Sequence, residues 1–250
     1  MHTEKEWLVL RSTAQFERQV TVAVFQVGPG NFMKPSAMLR MFQEVCEEHL
    51  AAFHVDHSRL AAEGMAFLLT TNRMTIRRQP CFGEKLTVTT EPLGNLGAYF
   101  YRVFRLFSAG EEIGSQLQLS VLADVHTHRL LRPAAFYRLG VFEDRQPEAA
   151  WKVETMKLPV DLSPLGNRTI YYSDLDYNSH LNNTIYADIL SDFWPYAPAE
   201  HQFSELQIQY VSEAFAGDIL QLQGLQEKAG DTFYLQGSHE RGVCFKAKIR

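Results

Sequence analysis

Residues 83–88 read Gly-Glu-Lys-Leu-Thr-Val and residues 217–222 read Gly-Asp-Ile-Leu-Gln-Leu, so a glycine, an acid and a strand-forming run occur twice. An alternating strand precedes each copy at equal spacing, at residues 74–76 and 208–210. Outward from these positions, each half of the chain shows a strand, one long helix and a meander of strands. The repeat predicts an α+β protein, in which each copy packs one helix against one curved antiparallel sheet.

The predicted elements follow this repeat. In the first half we expect a strand at 16–25, a helix at 36–53, and strands at 67–76, 85–91, 98–107 and 115–124. In the second half we expect a strand at 168–172, a helix at 183–194, and strands at 205–211, 218–225, 231–238 and 243–249. Apolar residues at helical spacing support both helices: Met38, Met41, Phe42, Val45 and Cys46 in the first, and Ile185, Tyr186, Ile189, Leu190 and Phe193 in the second.

The repeat also predicts the domain organisation. We expect a first domain at residues 1–138, a connector at 139–165 and a second domain at 166–250. The connector is polar, carries three prolines and shows weak periodicity, with a short strand expected near 151–158. A chain of 250 residues accommodates two small domains of this kind.

Composition narrows the function classes. The net charge of −5 gives no support for a nucleic-acid binder. No apolar run approaches the length of a membrane helix, and the acidic residues of segment 1–13 argue against a signal peptide, so we expect a cytoplasmic protein without membrane insertion. The three widely spaced cysteines form neither a disulfide framework nor a metal motif.

Residues 174–183 read Asp-Leu-Asp-Tyr-Asn-Ser-His-Leu-Asn-Asn and carry a polar group at every second position. In an extended segment, alternate side chains share one face, which would bring together Asp174, Asp176, Asn178, His180 and Asn182. Asn182 or Asn183 is a suitable N-cap for the second helix. A polar turn with a helix cap accounts for the same spacing, so both interpretations stay open.

Metal sites fit this segment poorly. A calcium loop requires glycine where Ser179 stands and a closing glutamate where Ile185 stands. A zinc site requires further ligands, and His180 has no second histidine or cysteine at ligand spacing. We expect no metal and no cofactor. Glu213 follows a predicted strand, and spacing alone does not distinguish it from an ordinary turn carboxylate.

The segment 174–183 resembles the signature of the acyl-acyl carrier protein (ACP) thioesterases of plants and bacteria. Residues 42–45, 71–84 and 209–213 resemble further parts of that family in the same order, so the resemblance covers residues 15 to 250. It implies a double hot-dog fold, in which two antiparallel sheets each wrap around a long helix. It also implies hydrolysis of fatty acyl-ACP thioesters, with Asp176, Asn178, His180 and Glu213 as the catalytic group.

Two positions depart from the family pattern. Many members have cysteine directly after the glutamate, where this chain has Ala214. A covalent cysteine at that position is therefore excluded, and the family chemistry must proceed through activated water. A tryptophan common in the first half of the family is replaced by Phe67, which affects the acyl pocket more than the catalytic group.

The resemblance further implies an apolar acyl pocket in the first half and a basic surface for the acidic carrier protein. The pocket candidates are Met38, Met41, Phe42, Phe67 and Leu69, for which ordinary core packing is the alternative. The docking candidates are Arg77, Arg78, Arg129 and Arg132. We expect a monomer or a homodimer, because a tandem repeat can supply internally the pairing that single hot-dogs obtain by dimerisation.

Three other functions are compatible with this segment. An acyl-CoA thioesterase would act on a different thioester with the same group. A hot-dog dehydratase would use Asp176 and His180 as an acid–base pair without releasing a thiol. A non-catalytic acyl-binding protein would retain the fold alone, although it would have no need of the four polar residues. The sequence does not specify chain-length preference, because the depth of a pocket depends on packing.

Overall fold

The computed structural model describes residues 15–153, 155–197, 202–227 and 230–250, which form two compact units. The first unit consists of the described residues up to Val20 with Met41–Leu69 and Lys85–Val153. The second consists of Thr21–Arg40, Thr70–Glu84 and the described residues after Val153. The domain boundaries expected at residues 138 and 165 stay a prediction. Segment 1–13, which we expect not to be a signal peptide, lies outside the described residues.

The first unit contains an antiparallel meander. Its strands occur in the order β1-β3-β4-β5-β2, with bounds β1 Phe16–Thr21, β2 Met65–Ile76, β3 Lys85–Leu96, β4 Tyr99–Ser108 and β5 Glu111–Asp124. The β3–β4 and β4–β5 pairs are antiparallel along almost their full lengths. Two short helices, α2 at His57–Ala62 and α3 at Ala134–Tyr137, also belong to this unit. The predicted meander is therefore confirmed in the first half of the chain.

A long helix, α1, spans Pro35–Ala52. A proline at its first position costs no helical hydrogen bond, because that N–H has no partner within the helix. The predicted apolar stripe is confirmed, since Met38, Met41, Phe42, Val45 and Cys46 are all buried. In the first unit, the Phe42 ring packs 5.3 Å from that of Phe104 on β4. The helix thus forms because it can bury this stripe against a sheet.

The second unit contains a sheet in the order β2-β7-β10-β9-β8-β6. Its strand bounds are β6 Ser163–Thr169, β7 Glu205–Tyr210, β8 Ile219–Gln226, β9 Phe233–His239 and β10 Gly242–Ile249. All pairs with a defined register are antiparallel, including Thr71–Thr75 of β2 with Glu205–Gln209 of β7. These two strands contain the alternating segments, residues 74–76 and 208–210, that precede the two copies of the repeat. The α+β class is therefore confirmed.

The second repeated helix, α4, spans Ile185–Phe193. Four of its five predicted stripe residues are buried, and Phe193 is half-buried. Tyr186 packs edge-on against Phe245 of β10, with ring centroids 4.9 Å apart. The helix is shorter at both ends than predicted, because residues 182–184 form a turn and helical geometry ends before Trp194.

The strands β3 and β5 are longer than predicted, since β3 ends at Leu96 and β5 begins at Glu111, and three other predicted strands also differ from the structure. β1 ends at Thr21, and residues 24–26 form a 3₁₀ helix in which the Gln26 side chain accepts the N–H of Ala23. β6 begins at Ser163, inside the predicted connector, and residues 172–174 form another 3₁₀ helix. The expected strand near 151–158 is absent from the described residues there, which form a short turn and irregular chain. Local side-chain hydrogen bonds, which compete with strand pairing, account for the differences at β1 and β6.

A buried polar cluster lies within the first unit. Arg102 on β4 donates hydrogen bonds to His49 Nδ1 at 2.9 Å and to the Thr90 hydroxyl at 3.2 Å. His49 is completely buried and stacks on Phe16. Burial, and then the positive charge of Arg102, lowers the pKa of His49 to about 3. His49 is therefore neutral in the folded protein at neutral pH.

His49 should make stability depend on pH. The folded pKa lies below the unfolded value, so the unfolded chain binds the extra proton, and stability present above pH 6.5 is lost as the pH falls towards 3. The full shift corresponds to at most about 5 kcal/mol. We expect His49→Gln, whose side-chain carbonyl can still accept from Arg102, to flatten the decline in unfolding free energy between pH 6.5 and 4.5. Urea unfolding followed by circular dichroism measures this, and an unchanged slope would contradict it.

Candidate active site

The loop between β6 and α4 carries the polar decapeptide, and all of it belongs to the second unit. The loop is not extended, so the expected alternation of five side chains on one face is wrong. Asp174 is buried, accepts the N–H of Tyr171 at 2.9 Å and receives Arg168 Nη2 on both carboxylate oxygens. Asn182 accepts the N–H and the hydroxyl of Thr184 at the start of α4. These two residues hold the ends of the loop.

Asp176 folds the centre of the loop into a tight turn. Its Oδ1 accepts the N–H groups of Asn178 at 2.8 Å and His180 at 3.2 Å. The Asp176 N–H in turn donates to the His180 carbonyl at 2.8 Å. Ser179 adopts a positive φ of 65°, a conformation unusual for a non-glycine residue. One oxygen of the Asp176 carboxylate is therefore committed to the backbone, whereas no hydrogen bond engages Oδ2 within the described residues.

His180 and Glu213 are brought together by a backbone bridge. The Leu181 N–H donates to the Ala214 carbonyl at 2.8 Å, and His180 forms an isolated β-bridge with Phe215. His180 Nδ1 lies 3.6 Å from Glu213 Oε1, close enough for an ion pair when the imidazole is protonated. The Phe215 ring packs edge-on against the imidazole at 5.1 Å. An imidazole beside a carboxylate can orient, accept or transfer a proton.

The candidate group is open to solvent. The His180 side chain is 28% exposed and that of Glu213 is 42% exposed, while Asn178 also lies at the surface. Water and a thioester can therefore reach these groups. Glu213 was identified from the family resemblance alone, and the bridge to Phe215 is the structural feature that explains its position beside His180.

The cysteine thiols do not provide a replacement nucleophile next to Glu213. Ala214 occupies that position and is completely buried. The Cys244 thiol is buried and donates to the Ser212 carbonyl at 3.2 Å, and burial raises its pKa. Burial likewise raises the pKa of Cys46. A thiol with a raised pKa carries little thiolate, which is the nucleophilic form.

The same backbone frame recurs in the first half of the chain, also within the second unit. Three hydrogen bonds match in donor, acceptor and length. In the first-half loop, the N–H of Gly28 donates to the Phe32 carbonyl at 2.9 Å, that of Met33 to the Pro80 carbonyl at 2.8 Å and that of Lys34 to the Gln26 carbonyl at 2.9 Å. In the decapeptide loop, the N–H of Asp176 donates to the His180 carbonyl at 2.8 Å, that of Leu181 to the Ala214 carbonyl at 2.8 Å and that of Asn182 to the Asp174 carbonyl at 2.9 Å. Asn31 has the positive φ of 66° that matches Ser179. The sequence repeat thus extends to the loop itself.

This first-half loop carries none of the catalytic candidates. The matching hydrogen bonds align Gly28, Gly30, Phe32 and Gln79 with Asp176, Asn178, His180 and Glu213, respectively. Gln79 is buried and bridges the Met33 carbonyl and the Phe203 N–H. Its side chain therefore has a structural role, and none of these four residues can exchange a proton at neutral pH.

The predicted pocket residues lie in apolar surroundings. Met38, Met41 and Phe42 are buried on α1, whereas Phe67 and Leu69 on β2 are half-buried. The Phe67 ring packs edge-on against Phe100 and Phe136 of the first unit, at 5.0 and 5.1 Å. Core packing accounts for these contacts, so the assignment of these five residues to an acyl pocket stays a prediction.

The predicted docking arginines are all exposed. Arg77 and Arg78 follow β2 in the second unit, and Arg129 and Arg132 follow β5 in the first. Arg78 forms a two-point ion pair with Glu84, which offsets its charge. Among the described residues there is no cluster of three or more His, Cys, Asp or Glu side chains that could hold a metal, and no helix has the length and apolar character to cross a bilayer.

Sequence reasoning missed a second set of polar residues around Glu213. These are Asp218, His239 and Arg241, which contact the backbone of residues 213–215. Asp218 belongs to the repeated Gly-acid pair and accepts the Phe215 N–H at 2.8 Å, as Glu84 accepts the Cys81 N–H at 3.0 Å. The repeat therefore contains a sequence signal for Asp218. His239 and Arg241 lie on a different hairpin, and no sequence pattern indicates that they approach Glu213.

The buried carboxylate of Asp174 should be important for stability. Replacing Asp174 by alanine leaves Nη2 of the half-buried Arg168 and the Tyr171 N–H without their carboxylate acceptor. We expect Asp174→Ala to lower the free energy of unfolding by about 2–4 kcal/mol. Chemical denaturation measures the change. Asp161→Ala, at an exposed site just before β6, is the control, and equal effects of the two substitutions would contradict the role of Asp174.

Comparison with known structures establishes the fold. An acyl-ACP thioesterase from Bacteroides thetaiotaomicron superimposes with a TM-score of 0.84 at 17% identity, covering 96% of this chain and 98% of that one. The 12:0-ACP thioesterase from Umbellularia californica gives 0.83 at 19% identity, covering 95% and 97%. These likenesses confirm the predicted double hot-dog architecture.

Comparison of sequences identifies the family. A dodecanoyl-[acyl-carrier-protein] hydrolase of Cinnamomum camphora chloroplasts is 24% identical over 221 residues, and the match spans 82% of this chain but 58% of the relative. The family model of the acyl-ACP thioesterase N-terminal domain matches residues 13–135, and that of the C-terminal domain matches residues 165–248. These two matches together cover more than half of the residues of this chain, so the chain belongs to the acyl-ACP thioesterase family.

Proposed function

We propose that this protein hydrolyses fatty acyl-ACP thioesters to free fatty acid and carrier protein, which terminates fatty acid synthesis. Membership of the family supports this proposal. The observation that carries it is the solvent-accessible pair of His180 and Glu213, whose Nδ1 and Oε1 atoms lie 3.6 Å apart. This pair lies beside the turn that presents Asp176 and Asn178. A cytoplasmic location and a monomeric or homodimeric state remain predictions.

The proposed reaction uses water as the nucleophile. Water attacks the thioester carbonyl carbon, a base accepts the proton of the water, and an oxyanion develops on the carbonyl oxygen. Collapse of this intermediate breaks the carbon–sulfur bond and releases the pantetheine thiolate, a good leaving group that needs little acid assistance. The absence of cysteine at position 214 agrees with this route, because no acyl-enzyme can form there.

Their contacts support a proposed division of roles between the two carboxylates. Asp176 holds the turn through Oδ1, which leaves Oδ2 to accept a proton from water. Glu213 lies beside His180 Nδ1 and fixes the orientation of the imidazole or holds the attacking water. Asn178 can donate its side-chain N–H to the oxyanion. We therefore propose Asp176 as the base, His180 and Asn178 as the residues that position the thioester, and Glu213 as the partner of His180.

The asparagine variant of Asp176 tests this assignment. Its side-chain carbonyl can still accept the N–H groups of Asn178 and His180, so the turn is preserved while the base is removed. We expect Asp176→Asn to lower kcat by about 10²–10⁴-fold. The measurement is release of carrier thiol, detected with a chromogenic thiol reagent, and Asp161→Asn is the control. Near-normal kcat in Asp176→Asn would show that Asp176 is not the base.

The same assay distinguishes the competing functions. Acyl-ACP and acyl-CoA of equal chain length are compared in parallel across several chain lengths. A higher kcat/KM for acyl-CoA would favour an acyl-CoA thioesterase. Consumption of an enoyl thioester without thiol release would favour a dehydratase, and binding without any turnover would favour an acyl-binding protein.

Carrier-protein docking is proposed at Arg77, Arg78, Arg129 and Arg132. Arg77 and Arg78 begin the loop that exposes Phe82, and this loop is hydrogen-bonded through Gly83 to Val22, next to the exposed Val24 and Phe25. Such a mixture of basic and apolar groups suits an acidic protein surface. The acyl chain is proposed to contact Met38, Met41, Phe42, Phe67 and Leu69. Methionine and phenylalanine are compatible with a flexible chain, although their burial is equally typical of a core.

Reversal of charge tests the docking surface. We expect Arg77→Glu combined with Arg129→Glu to raise KM for acyl-ACP by about tenfold, because each reversal replaces attraction to the acidic carrier by repulsion. KM for the neutral acyl-N-acetylcysteamine thioester should not change, and KM for acyl-ACP should rise with salt in the unaltered protein. An effect of the same size on both substrates, or no salt dependence, would contradict docking at these residues.

A further inference from the structure

The hairpin between β9 and β10 reaches the candidate active site from outside the decapeptide. Arg241, in the turn of this hairpin, directs both arms of its guanidinium to the Asp218 carboxylate. Asp218 Oδ2 also accepts the Phe215 N–H at 2.8 Å. The hydrogen bonds from Arg241, followed by that from the Phe215 N–H, hold the pKa of Asp218 below its usual range. The pair is therefore fully charged at neutral pH.

Arg241 makes two additional contacts that a simple turn clamp does not require. Its guanidinium lies over the Phe215 ring, 5.3 Å from the centroid, and the Phe215 ring packs edge-on against His180. A second guanidinium N–H donates to the Glu213 carbonyl at 3.5 Å. Arg241 thus contacts the two residues that flank Ala214, and both of these residues contact the His180 imidazole.

His239 holds the same carbonyl from the end of β9. The Arg241 N–H donates to His239 Nδ1 at 3.2 Å, which assigns the proton of the neutral ring to Nε2. His239 Nε2 then donates to the Glu213 carbonyl at 3.0 Å. The backbone of Glu213 is therefore held by two groups of one hairpin, so the position of its carboxylate depends on that hairpin.

The first-half loop provides an internal comparison. There, Arg78 makes the equivalent two-point pair with Glu84, and Glu84 accepts the Cys81 N–H. Arg78 belongs to the loop itself, next to Gln79, and this copy has no catalytic candidates. A clamp on the Gly-acid turn is thus common to both copies. In the copy that carries His180, the arginine instead belongs to a separate hairpin and contacts Phe215 and Glu213.

We propose that Arg241, anchored by Asp218, is a positioning residue that fixes Phe215 and Glu213 against His180 and thereby sets the geometry of the catalytic pair. This inference rests on the proposed thioester hydrolysis for its effect on rate. A small displacement of a catalytic group is enough to cost about 10²-fold in rate. Arg241 contacts neither the water nor the thioester in this scheme, so its removal acts through kcat.

Arg241→Gln tests the proposal against a matched control. Arg250→Gln removes an arginine whose side chain is 57% exposed, against 51% for that of Arg241. Arg250 pairs with the shielded Glu205 carboxylate, as Arg241 pairs with that of Asp218. We expect Arg241→Gln to lower kcat for acyl-ACP by about 10- to 100-fold with KM changed less than about threefold. Arg241→Lys, which keeps the charge but loses the fork, should fall between Arg241→Gln and the unaltered protein. Arg250→Gln should retain normal kcat.

The ring-proton resonances of His180 supply a readout that is independent of turnover. Loss of Arg241 releases the Phe215 ring, so its ring-current effect on His180 should change in Arg241→Gln and not in Arg250→Gln. Unmoved His180 resonances, or equal kcat in the two glutamine variants, would overturn the positioning role. An unaltered protein that releases no thiol would overturn the proposed hydrolysis instead, and the His180 resonances would still test the contact.

Discussion

The backbone bridge between residues 180–181 and 214–215 is the constraint on which the candidate site depends. One hydrogen bond, from the Leu181 N–H to the Ala214 carbonyl, joins the decapeptide loop to the segment that follows β7. It brings His180 beside Glu213, although the helix α4 and the strand β7 separate them in sequence. A backbone bond can do this reliably because a buried N–H or carbonyl without a partner is costly.

The duplicated frame separates the fold from the chemistry. Both copies of the loop make the same three backbone hydrogen bonds, and both use an acid after glycine to accept the N–H of the residue three positions earlier. In the first copy, glycine, phenylalanine and glutamine occupy the catalytic positions, and Gln79 is instead a buried structural bridge. The frame is therefore a property of the repeat, whereas acid–base function depends on the side chains placed on it.

The prediction that the decapeptide is extended is wrong for a local physical reason. Alternation of polar residues suggested an extended segment, but short acidic side chains can bond to nearby backbone N–H groups and so favour turns. Asp174 and Asp176 both do this, and Ser179 completes the turn with a positive φ. The alternative of a polar turn, left open by spacing alone, is the correct local structure. The turn nevertheless presents Asn178 and His180 at the surface, so a polar turn and an active site are compatible here.

The sequence by itself determined the α+β class, the repeat, the buried stripe of α1 and the family, because periodicity and a short signature are local features of the chain. It also supplied Asp176, Asn178 and His180, which lie within one loop. Only the tertiary structure explained Glu213 and revealed Arg241, since pairing of β7 and β9 with β10 brings their ends to the same loop. Such contacts depend on strand register, which no local pattern specifies.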